Sequence, residues 1–178
     1  IRILGSTRDD SVGEAYDKVA RMLDLGYPGG PAVDRLAKEG RAVIDLPRPM
    51  IRDGLDFSFS GLKSAVGRKV EKAEAFEVAD MAASFVASCM DVLLAKCRRA
   101  LEQVPARSLV VVGGVAASPQ LREGALGLTQ EVGVGLCLPP LKWSTDNAAM
   151  IALAGWDYVA LGQAPEPIAQ PRLSIEQF

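Results

Sequence analysis

The 178-residue sequence contains no histidine. That absence excludes a Ser-His-Asp triad, a Cys-His dyad and any His-ligated metal site built from this chain alone. Cysteine is scarce and unpaired in pattern. Cys89, Cys97 and Cys137 are an odd number without CxxC spacing, as expected of thiols in a reducing cytoplasm. There is no excess of charge: 20 Lys+Arg against 22 Asp+Glu leave a net −2, so no broad basic field grips phosphates, although a local patch for tRNA or DNA stays open. No HExxH, GxGxxG or GxxxxGK[ST] occurs, which removes the zincin, dinucleotide and Walker readings. No 18 uninterrupted apolar residues and no leader pattern appear, which predicts a cytoplasmic protein with no membrane partner.

What is present is a globular composition, 49% hydrophobic and 24% charged, at the length of one domain. Ile1-Arg2-Ile3-Leu4-Gly5 opens inside a strand-like run without an initiator Met, which predicts a piece of a longer chain. Val12, Ala15/Tyr16, Val19/Ala20 and Leu23 recur at helical steps and predict a core-facing helix ending near Leu25-Gly26. Pro31 suits the first position of a short helix running to Lys38. Arg41 to Asp56 reads as irregular, and Leu62, Ala65/Val66 and Val70 as a further helix.

Glu74 to Val104 is apolar almost all round, as a buried central helix would be. Its polar minority, Asp80, Ser84, Ser88 and Asp91, forms one stripe, read as a solvated or interdomain seam. Ser108 to Val112 reads as a buried parallel strand, followed by a helix that Ser118 caps and Pro119 begins. A second strand within Val132–Leu138 and a helix from about Ala148 follow, with an extended tail after Pro165. The class is therefore α/β with a mostly covered sheet.

Four places carry candidate chemistry. Gly113 and Gly114 end a strand where a ligand can approach the backbone closely; a purely structural turn is the alternative. Asp146 at a helix start is either a cap or a carboxylate placed to hold a metal or metal-bound phosphate. Glu14, Asp17 and Lys18 share a helical face, either as an i,i+4 Glu–Lys pair or as ribose and phosphate contacts. Tyr27 to Asp34 has glycines that admit a nucleotide, with Asp34 one turn beyond Gly30.

In order and spacing, five motifs belong together: Asp9-Asp10 through Asp17-Lys18, Tyr27-Pro28-Gly29-Gly30-Pro31, Asp56-Phe57-Ser58-Phe59-Ser60-Gly61-Leu62-Lys63, Val112-Gly113-Gly114-Val115-Ala116 and Ser144-Thr145-Asp146-Asn147-Ala148-Ala149-Met150-Ile151. Over nearly its whole length the chain resembles the C-terminal part of the TsaD (Gcp/YgjD) family of tRNA threonylcarbamoyladenosine transferases. The resemblance implies a C-terminal lobe, residues 1–178, of the two-lobed ASKHA fold shared with actin, Hsp70 and the sugar kinases, incomplete without the N-terminal part. It implies transfer of threonylcarbamoyl from threonylcarbamoyl-AMP to N6 of adenosine 37 in tRNAs that read codons starting with A. It also implies TsaB-like and TsaE-like partners in a bacterium, with a TsaC-like enzyme supplying the adenylate.

By motif position, Asp17, Gly30 and Asp34 are implied nucleotide contacts, together with Gly113, Gly114 and Ser118. Asp146 is the implied ligand of one divalent ion (iron, with zinc the alternative) whose two histidine ligands lie in the missing N-terminal part. Without that part the chain is expected to be inert. At Ser118 the family usually has Asn, whose bidentate reach a serine lacks. Two other readings stand beside this one: a degenerate non-catalytic module binding nucleotide or a partner, and an O-sialoglycoprotein endopeptidase-type metalloprotease.

Overall fold

The computed structural model describes residues 1–72 and 75–163. Among the described residues six α-helices run in chain order as α1 (Val12–Met22), α2 (Gly29–Ala37), α3 (Ser60–Glu71), α4 (Val78–Gln103), α5 (Pro119–Val132) and α6 (Ala148–Ala160). Two short strands, β1 (Ser108–Val110) and β2 (Gly135–Cys137), pair in parallel with Leu109 opposite Leu136. The molecule is α/β and mostly helical.

Its core lies among α1, α2, α3 and α4. The apolar stripe of α1 buries Ala15, Tyr16, Val19 and Ala20 against Val33 of α2, Leu62 and Val66 of α3, and Met81, Phe85 and Val92 of α4. Tyr16 meets Phe85 edge-on, with ring centroids 5.0 Å apart and planes at 70°. By length and composition α4 is apolar enough to cross a bilayer, yet 56% of its most apolar window is buried inside the protein, as suits a core helix.

Several expectations are corrected. Helix α2 begins at Gly29, so Pro31 stands at its third position. This is tolerated because first-turn N–H groups have no intrahelical partner to lose. The polar stripe of α4 is solvated only at Asp91; Ser84 and Ser88 are buried and Asp80 is half-buried. Asp80 Oδ1 accepts from Arg41 N–H at 2.7 Å and Ser84 Oγ from Ile44 N–H at 3.0 Å. Ser88 Oγ donates to the Ser84 carbonyl at 2.9 Å, and Arg48 Nε to Asp91 Oδ2 at 3.0 Å. The stripe thus supplies backbone partners to a segment that has no secondary structure of its own.

Lys96 continues the same service lower on α4. Only 1% exposed, its ammonium donates to the carbonyls of Met50, Asp53 and Gly54 and pins that turn.

The sheet is not covered as expected. Val110 and Val112 are 56% and 72% exposed. With two strands there is little surface to bury, and α6 leaves its apolar side chains in the open, including Ile151 and Trp156. Residues 1–6 form no strand, because among the described residues no strand lies alongside them; Thr7 alone bridges to Phe57. Glu74 and the tail expected after Pro165 lie outside the described residues.

Candidate functional site

The site is built where the starts of α1 and α2 meet the turn that leads into α5. Ser11 caps α1 by accepting from Glu14 N–H at 3.2 Å, which orients the helix so that Tyr16 and Asp17 point toward α2. Asp17 Oδ1 accepts the Gly29 N–H at 3.0 Å, satisfying one orphan donor of α2 with a charge suited to a helix N-terminus. Gly29 is buried against this contact: a Cβ there would stand 2.7 Å from Ala20 Cβ and 2.8 Å from Asp17 Oδ1. Gly30 next to it has open space on its Cβ side. The two glycines therefore do different work, one permitting helix packing and the other leaving room.

Asp34, one turn along α2, is half-buried, and its Oδ1 is sealed from solvent. The Tyr16 hydroxyl is sealed from solvent too. Burial pushes the Asp34 carboxyl above its ordinary value, while the nearby Ser118 and Tyr16 hydroxyls and Lys38 pull the other way. Burial likewise pushes the Tyr16 phenol well up, with Cys89 and Asp34 adding to it.

Ser118 belongs to the glycine turn. Gly113 takes φ 89°, a conformation that favours glycine, and opens a 3-10 turn over Gly114–Ala117. Both glycines have open space on their Cβ side. The turn sits beside the start of α1, where a Cβ on Gly13 would lie 3.5 Å from Val115. Arg122 braces it, donating to the carbonyls of Ala116 at 2.8 Å and Pro139 at 3.1 Å. Ser118 stands at the cap position of α5, but its hydroxyl bonds Gln120 Oε1 at 3.2 Å and makes no cap bond, contrary to expectation.

Asp17, Gly30, Asp34, Gly113, Gly114 and Ser118 thus fall around one junction. Lys18 does not join them. Its ammonium lies 2.7 Å from both Asp10 Oδ1 and Glu14 Oε1, and Lys63 meets the other Asp10 oxygen at 2.8 Å, so the i,i+4 ion-pair alternative is the one the structure adopts. Lys18 hydrogen bonds to Asp10 and Glu14 raise its own pKa, and those from Lys18 and Lys63 lower that of Asp10.

Asp146 stands apart. It is exposed, has no hydrogen-bond or ion-pair partner among the described residues, and does not cap α6. That task falls to Asn147, whose Oδ1 accepts from Met150 N–H at 3.0 Å. Among the described residues no three His, Cys, Asp or Glu side chains gather to hold a metal ion. Asp146 fits as one oxygen donor of such a set, its exposed carboxylate having no other partner among the described residues. Burial raises the Cys89 and Cys97 thiols, which stay neutral. A separate open groove of about 460 Å³ beside Ala37, Val86, Met90 and Glu123 shares none of the site residues.

Three features escaped the reading of the sequence. Tyr16 was hidden inside an apolar stripe, where a phenol and a phenyl look alike. Arg122 had no signal. Asp9 turns out to organise the start of α3, accepting from Ser58 Oγ at 2.6 Å, Ser60 Oγ at 2.5 Å and the Phe59 and Ser60 N–H groups at 2.9 and 3.2 Å. The alternation of serines about Phe59 was its available signal.

A sequence model described as TsaD, tRNA N6-adenosine threonylcarbamoyltransferase, matches residues 1–153. Proteins of that name are similar to this chain. The one from Persephonella marina is 49% identical over 159 residues, 87% of this chain and 46% of its own length. That from Geobacillus thermodenitrificans is 53% identical over 159 residues, 86% of this chain and 46% of its own. That from Streptococcus suis is 49% identical over 172 residues, 88% and 51% respectively. The chain spans about half the length of the curated relatives it matches.

Proposed function

The chain belongs to the tRNA N6-adenosine threonylcarbamoyltransferase family, and from that premise we propose that it is the nucleotide-binding lobe, of ASKHA type, of an enzyme that places threonylcarbamoyl on N6 of a tRNA adenosine. The observation that carries the proposal is the gathering of the α2 start, Asp34 and the Gly113–Ser118 turn around one junction, with space left open at Gly30, Gly113 and Gly114. In this reading the adenylate part of threonylcarbamoyl-AMP rests there. Asp34 accepts a ribose hydroxyl and the glycine turn lets phosphate approach backbone N–H groups. Asp17 acts by fixing the start of α2.

The N6 amine attacks the carbamoyl carbon; the new C–N bond forms as the bond to the phosphate oxygen breaks, AMP departs with that electron pair, and N6 loses a proton. AMP is a good leaving group and needs little acid assistance, which agrees with a chain that has no histidine. Asp146 is the one donor this chain offers to a divalent ion, iron by family resemblance, with two histidines supplied from outside these residues. Such an ion would orient and polarise the phosphate and carbonyl oxygens. The bare sheet face and the apolar side chains of α6 suit burial against the remainder of a protein of the relatives' length. TsaB-like and TsaE-like proteins are its proposed partners.

The test measures threonylcarbamoyl-adenosine in tRNA with the complete protein that carries this chain. Asp146→Ala is expected to leave stability within about 0.5 kcal/mol, because the side chain is exposed and unpaired, and to abolish modification. Wild-type activity of that variant would remove the metal role.

A further inference from the structure

The junction of α1, α2 and the start of α5 seals the Tyr16 hydroxyl and one Asp34 oxygen from solvent, next to each other and to the Ser118 hydroxyl. Tyr16 is 2% exposed and its ring packs on Phe85, a task phenylalanine would perform equally. Its Oη is nevertheless sealed from solvent, as is Oδ1 of Asp34. Polar atoms withdrawn from water must answer one another, so a phenol oxygen set against a carboxyl in a packed junction calls for a function. Bonds that serve ligand binding are commonly open in the free protein and close when the ligand arrives.

We propose that Tyr16 is a positioning residue for nucleotide binding: its hydroxyl backs the Asp34 carboxyl from the buried side and fixes the orientation in which that carboxyl accepts a ligand hydroxyl from its open side. The inference rests on the reading of Asp34 as a ribose contact and adds a residue to it. It gives the phenol oxygen a purpose that packing does not, since the ring alone completes the contact with Phe85.

The neighbours of Asp34 make the role measurable. Lys38 faces it from its own helix, Tyr16 from α1, Cys89 from α4 and Ser118 from the start of α5. Cys89 and Tyr16 stay neutral at ordinary pH, since burial pushes both up. Burial also raises the Asp34 carboxyl, and the Tyr16 hydroxyl opposes that rise. Without the hydroxyl the carboxyl climbs further and takes up its proton at higher pH.

The experiment is calorimetric titration of AMP into the complete protein between pH 5 and 8, for wild type, Tyr16→Phe, Asp34→Asn and the double variant. Tyr16→Phe keeps the ring and therefore the core. It is expected to weaken AMP binding about 3- to 10-fold at neutral pH, to move the acidic limb of the binding profile to higher pH, and to have no further effect once Asp34 is Asn. Equal weakening in both Asp34 backgrounds, with an unmoved profile, would reveal a merely structural tyrosine and overturn the inference. Wild-type binding by Tyr16→Phe beside weakened binding by Asp34→Asn overturns this inference alone. Failure of the wild-type protein to bind AMP, or wild-type binding by Asp34→Asn, overturns the nucleotide reading and this inference with it.

Discussion

Two adjacent glycines offer a sharp test of how α1 and α2 are joined. At Gly29 a Cβ would stand 2.7 Å from Ala20 Cβ, 2.7 Å from Asp17 Cα and 2.8 Å from Asp17 Oδ1. Backbone and the neighbouring helix close the site, so Gly29→Ala must push α2 away. Overpacking of this kind costs about 1–3 kcal/mol. The movement also breaks the 3.0 Å bond from Gly29 N–H to the Asp17 carboxylate, worth about 1.5–3 kcal/mol for a charged acceptor. Alanine returns at most about 1 kcal/mol of helix propensity, and less in a first turn.

The net expectation is a loss of about 2–4 kcal/mol, which in a domain of this size lowers the melting temperature by roughly 5–15 °C. At Gly30 the same methyl enters open space, so Gly30→Ala should be neutral or up to about 1 kcal/mol stabilising while it narrows the room for ligand. Urea unfolding of both variants, and of each combined with Asp17→Ala, separates the causes. In the Asp17→Ala background Gly29→Ala should cost less, because the bond is already gone. Equal stability of Gly29→Ala and Gly30→Ala would refute the packing argument.

Other residues carry expectations of the same kind. At Asp9 burial pushes the carboxyl up, but bonds from Ser58, Ser60 and the Phe59 and Ser60 N–H groups outweigh it and hold the group well below its ordinary 3.8. Its stabilisation is therefore complete above that value and drains as pH falls below it. Asp9→Ala should cost about 0.5–2 kcal/mol in urea unfolding at pH 7, with the gap from wild type shrinking below about pH 4; a gap independent of pH would contradict the capping role. Lys96→Met strips a buried ammonium from the carbonyls of Met50, Asp53 and Gly54, with only Arg99 still holding Ile51 and Gly54. A loss of about 2–4 kcal/mol is expected, and a change within 0.5 kcal/mol in the unfolding midpoint analysis would show the turn to be self-supporting.

The helices were legible because their periodicity reflects a burial this chain performs by itself. Val12 through Leu23 needs only the faces of α2, α3 and α4 to make sense, and all are present. The polar stripe from Asp80 to Asp91 misled because polarity on a helix reads as solvent, and the backbone donors of Arg41 and Ile44 that consume it carry no sequence signature. The strands misled in the opposite direction. Val110 and Val112 are residue types suited to a covered sheet, and no described element supplies the cover. At the site, glycine and aspartate motifs could be placed by their pattern. The division of labour between Gly29 and Gly30 depends on a helix–helix distance, which no local pattern encodes.

The same contrast sorts the candidate residues into those the fold uses and those it leaves free. Asp17 is committed to the start of α2 and Lys18 to Asp10 and Glu14; each has a structural purpose that accounts for its charge. Asp146 has none. It precedes a helix already capped by Asn147, touches no cation, and gains nothing in stability from being a carboxylate. The glycines at 30, 113 and 114 likewise border open space in a protein whose Gly29 shows how tightly a glycine can be enclosed when packing is its purpose. Asp34 and Tyr16 go further, each sealing a polar atom from solvent beside the other. Of the positions that family resemblance associates with nucleotide and metal, Gly30, Gly113, Gly114 and Asp146 are left free by the fold, whereas Asp17 and Ser118 are hydrogen-bonded to Gly29 and Gln120, so only part of that set is held in reserve for chemistry.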